Sequence, residues 1–262
     1  MSNLGRLREL LQFDNRWQLI AERLLFRGTH LQVHRINGVE MIVDHRGADA
    51  GSIRTCVAGT MYRRFVAQMK LGQCLTVADF GANVGGFSCL LKVLQLDVDR
   101  LLCLEMNPNT YERLRFNICT NFSLNNTSVI NAAVCGEPRQ IPLSLGVGST
   151  GDNIYFGHRG EQDKVLHTVE GRTFDDLCDK YLPGGMIDIC KMDVEGAEAE
   201  LLRYSSHSVN SLNRCRYFLI EMHPVDHYAE MCDVLKRHGF TLVDHEGKQM
   251  RGVHLFKNSR IE

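Results

Sequence analysis

The chain has 262 residues, with 30 Lys plus Arg against 31 Asp plus Glu and a formal charge of −1 at pH 7. That length fits one large core with a small appendage rather than two equal domains, and near-neutrality gives no general pull toward nucleic acid or an anionic membrane. Ten widely spaced cysteines without a CxxC pair or a zinc spacing predict free thiols in a reducing compartment, and no uncharged stretch approaches the ~18 residues a membrane span needs, so a cytoplasmic location is expected.

From Leu4 to Leu25 apolar residues recur at three and four (Leu4, Leu7, Leu11; Trp17, Ile20, Leu24), which predicts one or two amphipathic helices. Asn37-Gly38 then separates two β-prone runs, a strong hairpin signal. Residues 48–70 read as a helix. The first 70 residues are thus expected to form a helix, hairpin and helix extension, a cap over the substrate, with the main domain at 71–262.

From Leu75 the pattern becomes strand, turn and helix in repetition: "CLTVADF", a helix from about Val84, "RLLCLEM", a helix over 108–119, and "TSVINAAV". Such alternation predicts a parallel sheet covered by helices. After "IPLSL" a glycine-dense tract, 146–160, reads as a mobile loop and a candidate lid. Thr173 and Asp176 resemble a capping box. "GGMIDICKMD" and "RYFLIEMHP" supply two more buried strands around a helix near 195–205, and two alternating runs at the end predict an antiparallel hairpin closing the sheet.

The turn in "VADFGANVGGFS" passes from a strand through Gly81, Gly85 and Gly86 into a helix, the place where doubly wound sheets bind nucleotides. Glu105 ends the next strand 20 residues after Gly85, the interval at which a carboxylate reaches a ribose diol. NAD and S-adenosylmethionine share that ribose. Asn83 stands where a dinucleotide fingerprint needs glycine to admit a pyrophosphate, and Asp79 adds a negative charge suited to an ammonium and a sulfonium, which favours S-adenosylmethionine. Met106 and Asn107 are expected beside the adenosine, and Asn131, Ala132 and Ala133 beside its adenine ring, where the small alanines leave room. The glycines would equally serve tight strand-to-helix packing.

In "KMDVEGAE", Asp193 sits where strand becomes helix, and Glu195 and Glu198 follow at the helix start. Acids there also cap any helix, for ~1 kcal/mol or less each. Glu221 and His223, two apart on the neighbouring strand, point to one side and end on the same sheet edge. Together they make either a base with its orienting partner or an oxygen-and-nitrogen site for Mg²⁺ or Mn²⁺ formed by Asp193, Glu221 and His223.

The segments "VADFGANVGGFS", "LEMNPNTYERLRFN", "VINAAV", "KMDVEGAEAELL" and "LIEMHP", in this order, resemble the FkbM family of S-adenosylmethionine-dependent methyltransferases over about residues 75–225. Met106 departs from the Pro common there. The resemblance implies an α/β class I methyltransferase (Rossmann-like) fold, a seven-stranded, mostly parallel sheet with an antiparallel strand from the C-terminal hairpin, and methyl transfer to a hydroxyl of a sugar, glycan or natural product. It carries Asp79, Gly81, Asn83, Gly85 and Glu105 over as cofactor contacts, and Asp193, Glu195 and His223 as the catalytic centre. Rival readings are an NAD-dependent oxidoreductase and a catalytically silent cofactor-binding module. Acceptor choice is expected from the first 70 residues, the glycine-dense tract and Arg63, Arg64, Tyr155 and His158. A small-molecule or glycan acceptor is expected rather than nucleic acid, and self-association into a homo-oligomer stays open.

Overall fold

The computed structural model describes residues 3–25, 30–47, 49–144, 166–203, 210–223, 225–248 and 251–261. The glycine-dense tract 146–160, with Tyr155 and His158, lies outside the described residues.

The extension opens with α1 (Asn3–Leu10) and α2 (Arg16–Leu25), followed by β1 (Leu31–Ile36) and β2 (Val39–Asp44). Asn37 and Gly38 both take positive φ, 48° and 78°, as a tight hairpin turn whose twist matches the strands requires. Asn15 ties the helices to the hairpin, donating from Nδ2 to the Val33 carbonyl at 2.7 Å and accepting from the Arg35 amide at 3.0 Å. The helical periodicity does not mark the buried face. Leu7, Leu11, Trp17 and Leu24 are exposed, Trp17 by 68%, while Phe13 and Leu19 enter the core. The interhelix bend and the hairpin ladder set that orientation, and neither is contained in the spacing of either helix alone.

The single helix expected over 48–70 is broken. α3 (Asp49–Ile53) runs into a π-helical turn at Arg54–Ala58, and α4 (Met61–Ala67) follows. The extension is not detached from the rest: Phe13, Met41, Val43, Ile53 and Val57 share one core cluster with Val84 of the glycine turn and with Cys89 and Val93 of the helix after it.

The main sheet comprises β3 (Leu75–Phe80), β4 (Val98–Glu105), β5 (Thr127–Asn131), β9 (Ile187–Met192), β10 (Cys215–Met222), β11 (Phe240–Lys248) and β12 (Arg251–Asn258), in the order β11-β12-β10-β9-β3-β4-β5. Where pairs are recorded β12 alone runs antiparallel to both its neighbours, as expected of the closing hairpin. Every residue of β3 and β9 is buried, as central strands covered on both faces require, including the polar Thr76, Asp79, Asp188 and Lys191.

Opposite strand faces feed separate cores. Ala78, Phe80, Cys190, Met192, Phe218 and Ile220 pack with α7 (Phe174–Tyr181), α8 (Ala197–Arg203) and α9 (Tyr228–Arg237). Val77, Ile189, Tyr217 and Leu219 pack with α4, α5 (Gly86–Val93) and α6 (Pro108–Asn121). Thr173 caps α7, its Oγ1 accepting from the Asp176 amide at 3.1 Å.

One unit was not legible beforehand. "TSVINAAV" splits: β5 stays at the sheet edge, while β6 (Ala133–Val134) turns off into a three-stranded sheet with β7 (Arg139–Ser144) and β8 (Leu166–Arg172), in the order β6-β8-β7. All ten cysteines are free thiols, six of them buried. Among the described residues no helix is long and apolar enough to cross a membrane.

Candidate active site

The chain leaves β3 outward to β4 and β5 and returns to the other side of β3 at β9, so the carboxyl ends of β3 and β9 flank the crevice where the winding reverses. Gly81 turns there with φ of +68°. A Cβ on it would overlap the backbone carbonyl oxygen of Asp193. The requirement is doubled, since left-handed backbone disfavours other residues and the neighbouring strand end fills the space a side chain would need. The Lys191 ammonium donates to the Gly81 carbonyl at 2.8 Å, and the Ala82 amide to the Leu104 carbonyl at 2.8 Å.

Glu105, 9% exposed, ties the turn to the next strand end. Its Oε2 accepts from the Asn83 amide and its Oε1 from the Asn107 amide, each at 2.9 Å. Asn107 caps α6, accepting from the Asn109 and Thr110 amides. Asn131 bridges the same corner, donating from Nδ2 to the Glu105 and Met106 carbonyls at 2.9 and 3.0 Å. A carboxylate thus stands at the cleft wall with its orientation set from two sides.

The cleft holds about 790 Å³ of empty space, counting its open mouth. Of the expected cofactor contacts, Gly81, Asn83, Glu105, Met106 and Ala132 line it, as does the neighbouring Ala133, and the structure adds Gly86, Phe87, Leu104 and Val134. Asp79, Gly85, Asn107 and Asn131 are not among its lining residues. Asp79 lies beneath the turn, fully buried, with Oδ2 accepting from the Ser88 hydroxyl at 2.7 Å and Oδ1 3.5 Å from the Lys191 ammonium. Gly85 serves helix packing: a Cβ there would sit 3.1 Å from Leu114 Cδ1 and 3.2 Å from Ile118 Cδ1.

Sequence reasoning missed the far wall. Ser52, Cys56 and Tyr62 of the extension line the same cleft, and no motif marks them. Burial pushes the Cys56 thiol up to about 12 and the Tyr62 phenol well above its ordinary value, so both are neutral wall groups. Arg63 and Arg64, expected in acceptor selection, are engaged structurally: Arg63 donates to the Val57 carbonyl at 2.7 Å, and Arg64 pairs with Asp244 at 3.0 Å and Glu246 at 2.6 Å.

The acidic edge is assembled as its spacing suggested. Asp193 and Glu195 line the cleft. His223 Nε2 lies 3.9 Å from Asp193 Oδ1, 3.4 Å from Glu195 Oε2 and 3.6 Å from Glu221 Oε1. Single ligand atoms of Asp193, Glu221 and His223 all fall within 4.8 Å of one another. Behind them stands Glu198, fully buried, accepting from the Val194 and Gly196 amides at 3.1 and 2.9 Å and meeting His223 Nδ1 at 3.0 Å. It was legible as a helix-start acid, yet its work here is to hold the 193–196 turn and the imidazole.

Burial and charge oppose one another in this cluster. Burial raises the Glu195 carboxyl to about 7 against the opposing charge of His223, with Asp193, Glu221 and Glu198 pushing the same way as burial. Glu221 is raised by burial and by Asp193. Burial pulls His223 down, but the Glu198 hydrogen bond and the surrounding carboxylates hold it up to about 9. Lys191, also opposed by burial, is raised by Asp193 and Asp79. Such an edge can take up a proton from a hydroxyl or collect oxygen and nitrogen ligands around a cation.

Comparison with known proteins agrees with this architecture. The Methyltransferase FkbM domain model matches residues 79–242. A methyltransferase of Sordaria araneosa, sdnD, is 26% identical over 153 residues, 48% of this chain and 59% of its own length. The crystal structure of Methyltransferase FkbM from Methylobacillus flagellatus KT superposes with a TM-score of 0.51 at 12% identity, covering 79% of this chain and 53% of that one; at that identity the likeness concerns the fold. The chain therefore spans little more than half the length of these relatives. With the family model matching well over half of its residues, across both the cofactor-type turn and the acidic edge, the chain belongs to the FkbM methyltransferase family.

Proposed function

We propose that the protein transfers a methyl group from S-adenosylmethionine to a hydroxyl oxygen of a sugar, glycan or natural-product acceptor. The observation that carries the reading is the composition of the cleft: Glu105, Asp193 and Glu195 against one ammonium, Lys191, beside small or apolar walls at Ala132, Ala133, Val134 and Leu104. A net negative cleft suits a ligand bearing a sulfonium and an ammonium and opposes a diphosphate. Glu105, fixed by two amides, faces the space as an acceptor for ribose hydroxyls, and Ala132 and Ala133 leave room for a flat base.

S-adenosylmethionine supplies a methyl carbon activated on sulfur, so the protein's work is to hold the acceptor oxygen in line and receive its proton. Asp193 and His223 are the proposed pair for this step, the carboxylate accepting the proton beside an imidazole that Glu198 orients and holds charged, with Glu195 shaping the acceptor end. Ser52 and Tyr62 of the extension line the cleft, which supports a part for residues 1–70 in covering the acceptor. The near-neutral charge speaks for a small-molecule or glycan acceptor over nucleic acid, and the ten free thiols for a reducing, cytoplasmic setting.

Calorimetric titration with sinefungin and, separately, NAD tests the cofactor: micromolar sinefungin binding with no NAD binding is expected, and the reverse returns the oxidoreductase reading. Labelled methyl donor with a panel of saccharides and polyketides, read by mass spectrometry, tests the transfer. A cofactor-binding protein that methylates none of them would be the silent module.

A further inference from the structure

We infer that Asp193, Glu221 and His223 form a site for one divalent transition cation, with the acceptor hydroxyl as a further ligand. This inference rests on the methyl-transfer reading for the cation's role, but not for its binding. The three side chains come from the adjacent carboxyl ends of β9 and β10 and offer two oxygens and one nitrogen within 4.8 Å of one another; the imidazole nitrogen lies 3.9 Å from the Asp193 oxygen and 3.6 Å from the Glu221 oxygen, inside the ~4.0–4.4 Å that separates opposite ligands ~2.0–2.2 Å from a common centre.

Two independent features distinguish this from an ordinary patch of acids. First, the imidazole is set up as a ligand. Its Nδ1 is engaged by Glu198, a fully buried carboxylate itself held by two backbone amides, while Nε2 is turned toward the oxygens of Asp193, Glu195 and Glu221. A carboxylate behind the far nitrogen of a metal-bound histidine fixes its tautomer and raises its basicity. Second, Asp193 Oδ1 is buried and accepts no hydrogen bond among the described residues, although it faces the imidazole at 3.9 Å. A buried, unsatisfied carboxylate oxygen is costly, and a cation on it removes the cost. Mixed oxygen and imidazole donors favour Mn²⁺ over Mg²⁺ or Ca²⁺, which take oxygen alone more readily.

The site also has a use. Asp193 reaches the cofactor cleft while Glu221 stands behind it, so a cation between them lies at the boundary where an acceptor oxygen has to sit. A cation there takes over the activating role given above to the pair Asp193 and His223, which then serve as its ligands: it lowers the pKa of a bound hydroxyl and fixes its position, an orienting task that one carboxylate performs less sharply.

Mn²⁺ alone, added to the full chain freed of metal by chelation, tests the inference through the electron paramagnetic resonance signal of the unbound ion. One Mn²⁺ per chain is expected. Asp193→Asn, Glu221→Gln and His223→Gln should each weaken it by about tenfold or more, and Glu198→Gln, acting through the imidazole, by about 10–100-fold. Asp99→Asn, at an exposed acid on the opposite, amino-terminal end of β4, should leave it unchanged, and melting curves of the same samples certify folding. No stoichiometric Mn²⁺ binding at millimolar concentration overturns the inference, as does equal binding by the folded ligand variants; in either case the cluster is a proton-sharing network. Sinefungin titration of the same samples separates the two readings. Mn²⁺ binding without sinefungin binding keeps the metal site and removes methyl transfer, and sinefungin binding without Mn²⁺ does the reverse.

Discussion

Replacing Glu198 tests the architecture of the acidic edge without any ligand. The side chain is fully buried and its carboxylate meets three donors: the Val194 amide at 3.1 Å, the Gly196 amide at 2.9 Å and His223 Nδ1 at 3.0 Å. Glu198→Gln keeps the shape but turns one accepting oxygen into a donor, so at least one of the three meets an N–H head-on. The loss of a hydrogen bond to a charged acceptor costs about 1.5–3 kcal/mol. Glu198→Ala strands all three and leaves the His223 imidazole without its buried counter-charge, a loss of about 3–5 kcal/mol by comparison with other broken buried pairs. For a chain of this size each kcal/mol moves the melting temperature by roughly 2–4 °C. Calorimetric melts at pH 7 should therefore fall by roughly 3–12 °C for Gln and by roughly 6–20 °C for Ala. A Glu198→Ala protein melting within 2 °C of the parent would refute the claim that this carboxylate organises the 193–196 turn and the imidazole.

Further outcomes follow from other contacts. Gly81→Ala forces a Cβ into the Asp193 carbonyl at a positive-φ position; sinefungin affinity should drop by tenfold or more, and an unchanged titration would show that the turn relaxes freely. Glu105→Gln loses one of its two amide contacts and the ribose-facing charge, so calorimetry should show at least tenfold weaker sinefungin binding, by about 1.4 kcal/mol or more. His34 is buried beside Phe13, with its Nε2 3.2 Å from His45 Nε2, and burial, then the His45 and Arg54 charges, lower it from 6.5 to about 3. Its folded pKa is depressed, so the unfolded chain binds the extra proton, and stability is lost as pH falls below 6.5. Between pH 7.5 and 5 the His34 share of that loss is about 2 kcal/mol. Urea unfolding of His34→Gln should show a flatter pH dependence by that amount, and an identical slope would remove His34 as its source.

The cofactor half of the site was legible because it is local. Gly81, Asn83 and Glu105 stand at intervals that a strand, turn and helix convert directly into position, and Asp193 with His223 fall on neighbouring strand ends by alternation alone. What was illegible depends on long-range assembly. Ser52, Cys56 and Tyr62 reach the cleft only because a π-helical turn interrupts the helix expected at 48–70 and packs against Gly86, whose position would bring a Cβ within 3.0 Å of Cys56 Cβ. The bend at Ala132 that sends β6 into a second sheet has no composition signal, because its pairing partner, β8, lies more than thirty residues downstream. Leu7 and Trp17 show the same limit in reverse: correct helical periodicity, with the stripe turned to solvent by the hairpin contact of Asn15.

The electrostatic argument for the cofactor passes to different residues. Asp79 was expected to face a cationic ligand, but Lys191 at 3.5 Å largely offsets its charge, and Ser88 uses its other oxygen. Lys191 in turn holds the Gly81 carbonyl and lies 3.5 Å from Asp193, so one buried ammonium links the two carboxylates across the turn. Its raised pKa follows from that placement, with two carboxylates outweighing the cost of burial. The negative field over the cleft therefore comes from Glu105, Asp193 and Glu195, which border the open space itself. Removing Asp79 alone would leave Lys191 under-compensated beneath the turn and make the floor more positive. Asp79→Asn should thus weaken binding of the cationic sinefungin by displacing Lys191 and Gly81, whereas Asp193→Asn, which strips charge from the wall, should weaken it without lowering the melting temperature comparably. If both variants lose affinity and stability in the same proportion, Asp79 and Asp193 are not acting on separate parts of the cleft.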